Sequence, residues 1–504
     1  MKSSSLNLKL ATMLFLLAIP VAVTAQDGVT QNQNTKHHHY KLVELGTLGG
    51  PQSVIFEQAT RPLNNEGIVV NCADTSNLDP NNPQNPYFVY PDSQVDPYIQ
   101  HISRWRDGVK TDLGALPGGT SSCMQWINER GMVVGGSANG MTDSLTGYPE
   151  AVATLWENGN IHDLGTLGGN ESVAYALNDL GDVVGWASNT VPDDFAYSVF
   201  ASGATQAHGA LWRNGVIQDL GTLGGPDSAA YFVNERGQIA GESLTNSTPN
   251  AATGFPTQDP FLWQKGRMID LGSLGGTNGY PLSLNNRGQV VGQSNLAGDQ
   301  TYDAFLWGRG VLKDLGTLGG QFSSAYQIND AGDVAGWSTL TGDQVFHPFF
   351  WKNGVMLDLG TVGGQPCGYS IGISPAGQVV GASYDCNFGG YHAFLWENGS
   401  IVDLNTLISA GSDMHLVSAT SINNRGEIAG DGTLLSTGAG QTYLLIPCDE
   451  NHPDVEGCDY SLVETPVTPL SLSPARTFPR AHRTPHSRWN KRPQLRVGPG
   501  GLPR

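Results

Sequence analysis

Residues 314–320 read Asp-Leu-Gly-Thr-Leu-Gly-Gly, and this heptad decides the fold because it recurs. It stands first as Glu44-Leu45-Gly46-Thr47-Leu48-Gly49-Gly50. It begins again at Asp112, Asp163, Asp219, Asp270, Asp314, Asp358 and, degraded, Asp403. The spacings are 68, 51, 56, 51, 44, 44 and 45 residues, so a repeating core of about 44 carries inserts of different length.

Each unit has the same internal order. After Gly320, residues 324–329 alternate small or apolar with polar side chains, which predicts a strand. Asn329-Asp330-Ala331-Gly332 is a turn, with glycine available for positive φ. Residues 333–338 predict a second strand, and 348–351 a third after a variable loop. Asn353-Gly354 is a hairpin turn, and 355–359 a fourth strand. Four short antiparallel strands at such a period predict an all-β fold, a β-propeller of four-stranded blades.

The strand count sets the expected closure. Residues 40–45 form a lone fourth strand, seven complete units follow, and the eighth supplies three strands within 417–446. The lone strand can complete the last blade and hide two sheet edges, which predicts eight blades. Seven blades, or a solenoid of stacked sheets, are the alternatives. Trp105, Trp156, Trp212, Trp263, Trp307, Trp351 and Trp396 recur in the third strand and are read as packing between blades; a sugar-stacking row is the sharper alternative. Asn64, Asn128, Asn178, Asn234, Asn285, Asn329 and Asn423, with Ser374 in the seventh unit, are read as bonding the turn backbone.

Composition bounds the class. Charged residues are 14% and glycines number 66, which argues for turns and strands over long surface helices. Lys2 and Lys9, the apolar run 10–23 and Val23-Thr24-Ala25 form the pattern of a secretory signal peptide. The domain reading is a signal peptide at 1–25, a polar segment at 26–39, the propeller at 40–447, a Cys-containing extension at 448–473 and a disordered tail at 474–504. That tail holds eight basic residues and no acid, so the formal charge of −19 is concentrated in an acidic body. Such a body repels nucleic acid and anionic membranes. No later segment reaches the length of a membrane span, and a monomer is expected. Cys72, Cys123, Cys367, Cys386, Cys448 and Cys458 suggest disulfides in an exported chain. Neighbours in sequence would pair 72–123, 367–386 and 448–458, although six cysteines allow 15 pairings.

The combined pattern resembles the bacterial extracellular HAF repeat family. The naming triplet is intact at His392-Ala393-Phe394 and partial at Asp303-Ala304-Phe305 and His347-Pro348-Phe349. The resemblance covers about residues 40–446 and implies a secreted or cell-envelope location. It supplies no catalytic residues, and the triplet histidine is lost in several units.

A search for chemistry finds no calcium loop, His-Glu-x-x-His, Gly-x-Ser-x-Gly or sialidase-type Asp box, so no cofactor or metal is expected. His37-His38-His39 is read as an incidental surface run in preference to a metal site. The repeated fourth-strand Asp is read as a backbone acceptor in preference to a cation ring. Long inserts at 74–100, 189–208 and 244–258 all fall between second and third strands, on one side of the propeller. The first insert supplies the candidate ligand residues Tyr87, Tyr90, Tyr98, Asp92 and Asp96, suited to a glycan, a peptide or a surface protein. The reading is a non-enzymatic binding or structural propeller. The alternative is a glycoside hydrolase or polysaccharide lyase using carboxylates such as Asp92, Asp96, Asp193 or Asp194.

Overall fold

The computed structural model describes residues 34–55, 61–80, 97–143, 149–193, 205–250, 253–466 and 471–474. All belong to one compact unit, Asn34–Arg504. The signal segment and residues 475–504 lie outside the described residues. The architecture is all-β, a series of four-stranded antiparallel sheets consistent with a β-propeller. Among the described residues, no helix is long and apolar enough to cross a membrane.

The sixth unit shows why the repeat folds this way. Its strands are Gly319–Ile328, Val334–Leu340, Phe346–Lys352 and Val355–Asp358, paired in chain order. Asn353 at φ +52° and Gly354 at φ +92° make the tight hairpin between third and fourth strands. The second-strand glycine is dictated by packing. A Cβ on Gly336 would lie 2.0 Å from the Ser324 carbonyl oxygen and 2.9 Å from the Phe349 ring. Phe349 fills the space that glycine leaves, and is fully buried. Phe261, Phe305 and Phe394 repeat the arrangement over Gly241, Gly292 and Gly381.

The third-strand tryptophans pack between units, as read from the sequence. Trp212 clusters with Val134 and Ala153 of the preceding sheet, Trp263 with Val184 and Leu211, and Trp396 with Ala335 and Phe350. Burying such a ring contributes about 2–3 kcal/mol. Trp126 of the second unit meets Phe232 of the fourth at 6.4 Å, past the intervening unit, so the first strands face one another closely.

The turn asparagines do more than hold their own turns. Asn178 Oδ1 accepts from the N–H groups of Leu180 and Asp182 at 3.1 and 2.9 Å. Its Nδ2 donates to the Asn234 carbonyl of the next unit at 3.0 Å. Asn64, Asn128, Asn234, Asn285 and Asn329 donate onward in the same way, to the backbone at 128, 178, 285, 329 and 374, at 2.9–3.2 Å. Asn423 of the last unit donates to the Asn64 carbonyl of the first at 3.0 Å. A parallel row links each following residue: Glu129 N–H to Asp179, Glu235 N–H to Asn286, Asn286 N–H to Asp330 and Asn424 N–H to Asn65, at 2.8–3.0 Å.

An early strand and a late one share the last sheet. Tyr40–Glu44 pairs antiparallel with Gly440–Pro447, from Tyr40↔Pro447 to Glu44↔Tyr443. The cysteines pair as 72–123, 367–386 and 448–458, with Cα separations of 5.5, 5.3 and 5.4 Å. The first of these joins two neighbouring sheets. The histidine run corrects the surface reading. Asn34–His38 pairs with Leu462–Pro466, and His37 is fully buried with Nδ1 2.9 Å from Glu397 Oε1. The next strand, Ser471–Pro474, pairs with the outer strand Val355–Asp358 of the sixth unit.

The asparagine links carry a stability prediction. Asn178→Ala strands buried turn N–H groups and an inter-unit carbonyl, and should destabilise the fold by about 2 kcal/mol in urea unfolding. An unchanged midpoint would mean that the links contribute nothing.

Candidate functional site

The motif residues resolve first. Asp314 Oδ1 accepts the Gly316 N–H at 2.7 Å, and the same bond recurs from Asp112, Asp163, Asp219, Asp270 and Asp358 at 2.7–2.8 Å. Thr317 Oγ1 donates to the Gly320 carbonyl at 2.9 Å, and the Leu318 N–H donates to Ser338 Oγ at 2.8 Å. The heptad is a sheet-to-sheet connection, and its Asp is a backbone acceptor.

The triplet histidine is this Asp's partner. His101, His208, His347 and His392 set Nδ1 against Asp112, Asp219, Asp358 and Asp403 at 2.7–2.9 Å. His101 Nε2 also reaches the Thr120 carbonyl of the connection to the next unit at 3.0 Å. Burial lowers the His208 pKa, but the Asp219 bond outweighs it and leaves the imidazole above its ordinary value. Asp259 replaces histidine opposite Asp270. Burial and the Asp270 charge push its carboxyl up to about 6.

The long inserts leave the ends of the second strands and return to the third strands. The connections between units leave the fourth strands on that same side. Tyr87, Tyr90, Asp92, Asp96 and Asp194 lie outside the described residues. Tyr98 opens the strand Tyr98–Arg106 opposite Leu78 and is half-buried. Asp193 is described, and it finds an unforeseen partner in Asp227 of the next unit; both are buried. Burial first, then the hydrogen-bonded Asp193, pushes the Asp227 carboxyl up to about 7, against the Ala207 N–H that it accepts at 2.9 Å. Glu242 lies between the Tyr231 hydroxyl and Gln258 Nε2 at 2.7 and 2.8 Å, and burial raises it to about 8.

Sequence reasoning missed the apolar part of this side. Rings run in contact across units five to seven: Phe322 to Tyr302 at 5.0 Å, Tyr302 to Trp337 at 6.2 Å, Trp337 to Phe346 at 5.4 Å and Phe346 to Tyr384 at 5.7 Å. Tyr384 is stacked by Phe388 at 5.5 Å and by Tyr391 at 4.9 Å. Tyr384 is buried, whereas Phe388 is 44% exposed and Tyr302, Phe322, Phe346 and Tyr391 are half-buried. The Cys367–Cys386 disulfide and Asp385, which accepts the N–H groups of Asn387 and Gly389, fix the turn that presents Phe388. Gln321, paired with Asp343 at 2.7 Å, and Gln365 supply polar groups around the rings. The signal was the column one residue before the triplet. It is aromatic at Tyr302, Phe346 and Tyr391, but Gln100, Ala151, Ala207 and Gln258 in the units with longer loops.

No family model matches the chain. No curated protein matches it either. Among solved structures, it is similar to the β-propeller domain of the Trilobed protease from Pyrococcus furiosus, at 10% identity and TM-score 0.39, over 73% of this chain and 97% of that one. It is similar to an oligogalacturonate lyase in complex with manganese, at 9% identity and TM-score 0.37, over 82% and 98%. A Trypanosoma rangeli sialidase in complex with sialic acid aligns at 10% identity and TM-score 0.27, over 81% and 58%. The sheet pairing seen directly, rather than these likenesses, carries the fold.

The raised carboxyls set a pH dependence. Glu242 and Asp227 keep protons in the fold that the unfolded chain releases near pH 4–4.5. The stability these two groups contribute is therefore fully present below that range, falls as pH rises to about 8, and is gone above. Thermal unfolding should give a lower Tm at pH 8 than at pH 5, and Glu242→Gln should narrow the gap. A Tm that rises over this interval would contradict the assignment.

Proposed function

We propose that the chain is an exported repeat protein of the HAF type that binds a glycan on its loop-bearing side. The aromatic ridge of units five to seven carries this reading. Aromatic faces beside amide and carboxylate groups suit the apolar faces and hydroxyls of sugar rings. The connections of those units are short, while units one to four carry longer inserts. Tyr87, Tyr90, Asp92 and Asp96 of the first insert are proposed to contribute to the site. The scaffold is read as an eight-bladed propeller closed by Tyr40–Glu44. The pairing of that strand with Gly440–Pro447 and the Asn423 to Asn64 bond support this reading. Export is read from the signal pattern and fits a chain whose six cysteines are all paired.

A second reading rests on Asp193 and Asp227. A carboxyl held protonated near neutrality beside a second carboxyl is the arrangement of an acid–base dyad. Both carboxyls are buried, rather than exposed to flank a scissile glycosidic bond as a glycosidase pair must be. Binding without turnover is therefore the main reading.

A glycan array with residues 26–504 tests it, followed by calorimetry on the hits. Phe388→Ala and Tyr391→Ala should weaken binding about tenfold each, about 1.4 kcal/mol, with little change in Tm. Binding that survives both changes rejects the ridge as the site. Polysaccharide cleavage lost in Asp227→Asn would establish the enzyme instead.

A further inference from the structure

The seventh unit departs from the others at the turn that links neighbours. Ser374 stands where the other units carry asparagine, so no side-chain amide reaches from it to the eighth unit. Its Oγ is turned to its own turn, accepting the Gln378 N–H and donating to Gln378 Oε1, both at 3.1 Å. The following residue is Pro375. Proline has no N–H to give to Asn424 and no side-chain acceptor for the N–H of Asp330. The first row is therefore interrupted only between the seventh and eighth units, and the second on both sides of the seventh, so the seam to the eighth unit is the one that lacks both.

The terminal ribbon attaches at that place. Gln378 Nε2 donates to Glu397 Oε2 at 2.8 Å, and Glu397 Oε1 meets His37 Nδ1 at 2.9 Å. A polar chain thus runs from Ser374 through Gln378 and Glu397 to the ribbon. Ser400 Oγ and Thr465 Oγ1, 2.9 Å apart, add a contact from the ribbon's other strand to the outer strand of the seventh unit. The ribbon is also rooted in the eighth unit and its linker. The Cys448 N–H donates to the His39 carbonyl at 2.8 Å, and the Tyr40 N–H to the Leu407 carbonyl at 2.8 Å. The Cys448–Cys458 disulfide closes the loop from which Leu462–Pro466 returns. Ser471–Pro474 then reaches the sixth unit.

We infer that the ribbon of Asn34–His38 and Leu462–Pro466 is a strap that fastens the seam between the seventh and eighth units, replacing the bonds that Ser374 and Pro375 cannot make. Releasing the strap opens this seam selectively. The seventh unit bears Tyr384, Phe388 and Tyr391, so opening loosens that end of the ridge as well.

Hydrogen exchange read by mass spectrometry on the disulfide-intact protein tests this. His37→Ala should speed exchange about tenfold in Cys367–Ile373 and Met414–Ile422, leaving Ser172–Leu177 and Ser228–Val233 unchanged. Adding Ser374→Asn with Pro375→Asp, the residue types of the sixth unit, should restore protection. The milder His37→Gln should give a smaller effect at the same segments if His37→Ala does not fold. Acceleration spread evenly over all units, no acceleration, or no restoration by the paired replacement would each overturn the strap.

Discussion

The fold depends on one small interaction, the amide of a turn asparagine reaching to the backbone of the next sheet. A four-stranded sheet of about thirty residues cannot bury its own faces. It needs neighbours at a fixed distance and angle. The asparagine carboxamide sets both, because its oxygen is committed to its own turn and its nitrogen to the neighbour's. Phenylalanine over glycine within a sheet, and tryptophan between sheets, then fill the space that this spacing defines. Apolar packing supplies most of the stabilisation, while the amide row sets the register in which packing occurs.

The loop-bearing side follows from this division of labour. The asparagine turns use the short connections, so variation is confined to the opposite ends of the strands. The structure uses those ends in two ways. Units one to four extend their connections and bury carboxyl groups at their bases, as at Asp193 and Asp227. Units five to seven keep short connections and carry aromatic rings instead.

Much of the scaffold was legible in the sequence. The period, the strand order, the Asn-Gly turns and the spare N-terminal strand follow from local patterns that physics ties to one geometry, whereas the disulfide partners, left among 15 pairings by the sequence, needed the sheets to bring them together. Asp314 and its counterparts were readable as backbone acceptors for the same reason. The candidate site was less legible. Phe322, Tyr302, Phe346, Tyr384 and Phe388 come from three units, and only the stacking of those units brings them into contact. Asp227 was not recognised as the partner of Asp193 because one ends a second strand and the other opens the next sheet. His37 was misread because its partners, Val463 on the adjoining strand and Glu397 on a sheet, lie hundreds of residues away.

The pairing of Tyr40–Glu44 with Gly440–Pro447 also dictates an order of assembly. During synthesis Tyr40–Glu44 emerges before the seven sheets between and Gly440–Pro447 after them, so their sheet is completed only once those seven have been made, and the ribbon of Asn34–His38 and Leu462–Pro466 only after that. Through that interval the segment Tyr-Lys-Leu-Val-Glu is an open edge, able to join any exposed strand nearby. Lys41 and Glu44 place charge at both ends of its apolar centre, which disfavours such strays. In the finished sheet Glu44 is exposed, while the Lys41 ammonium lies against Gly457 in the loop closed by Cys448–Cys458.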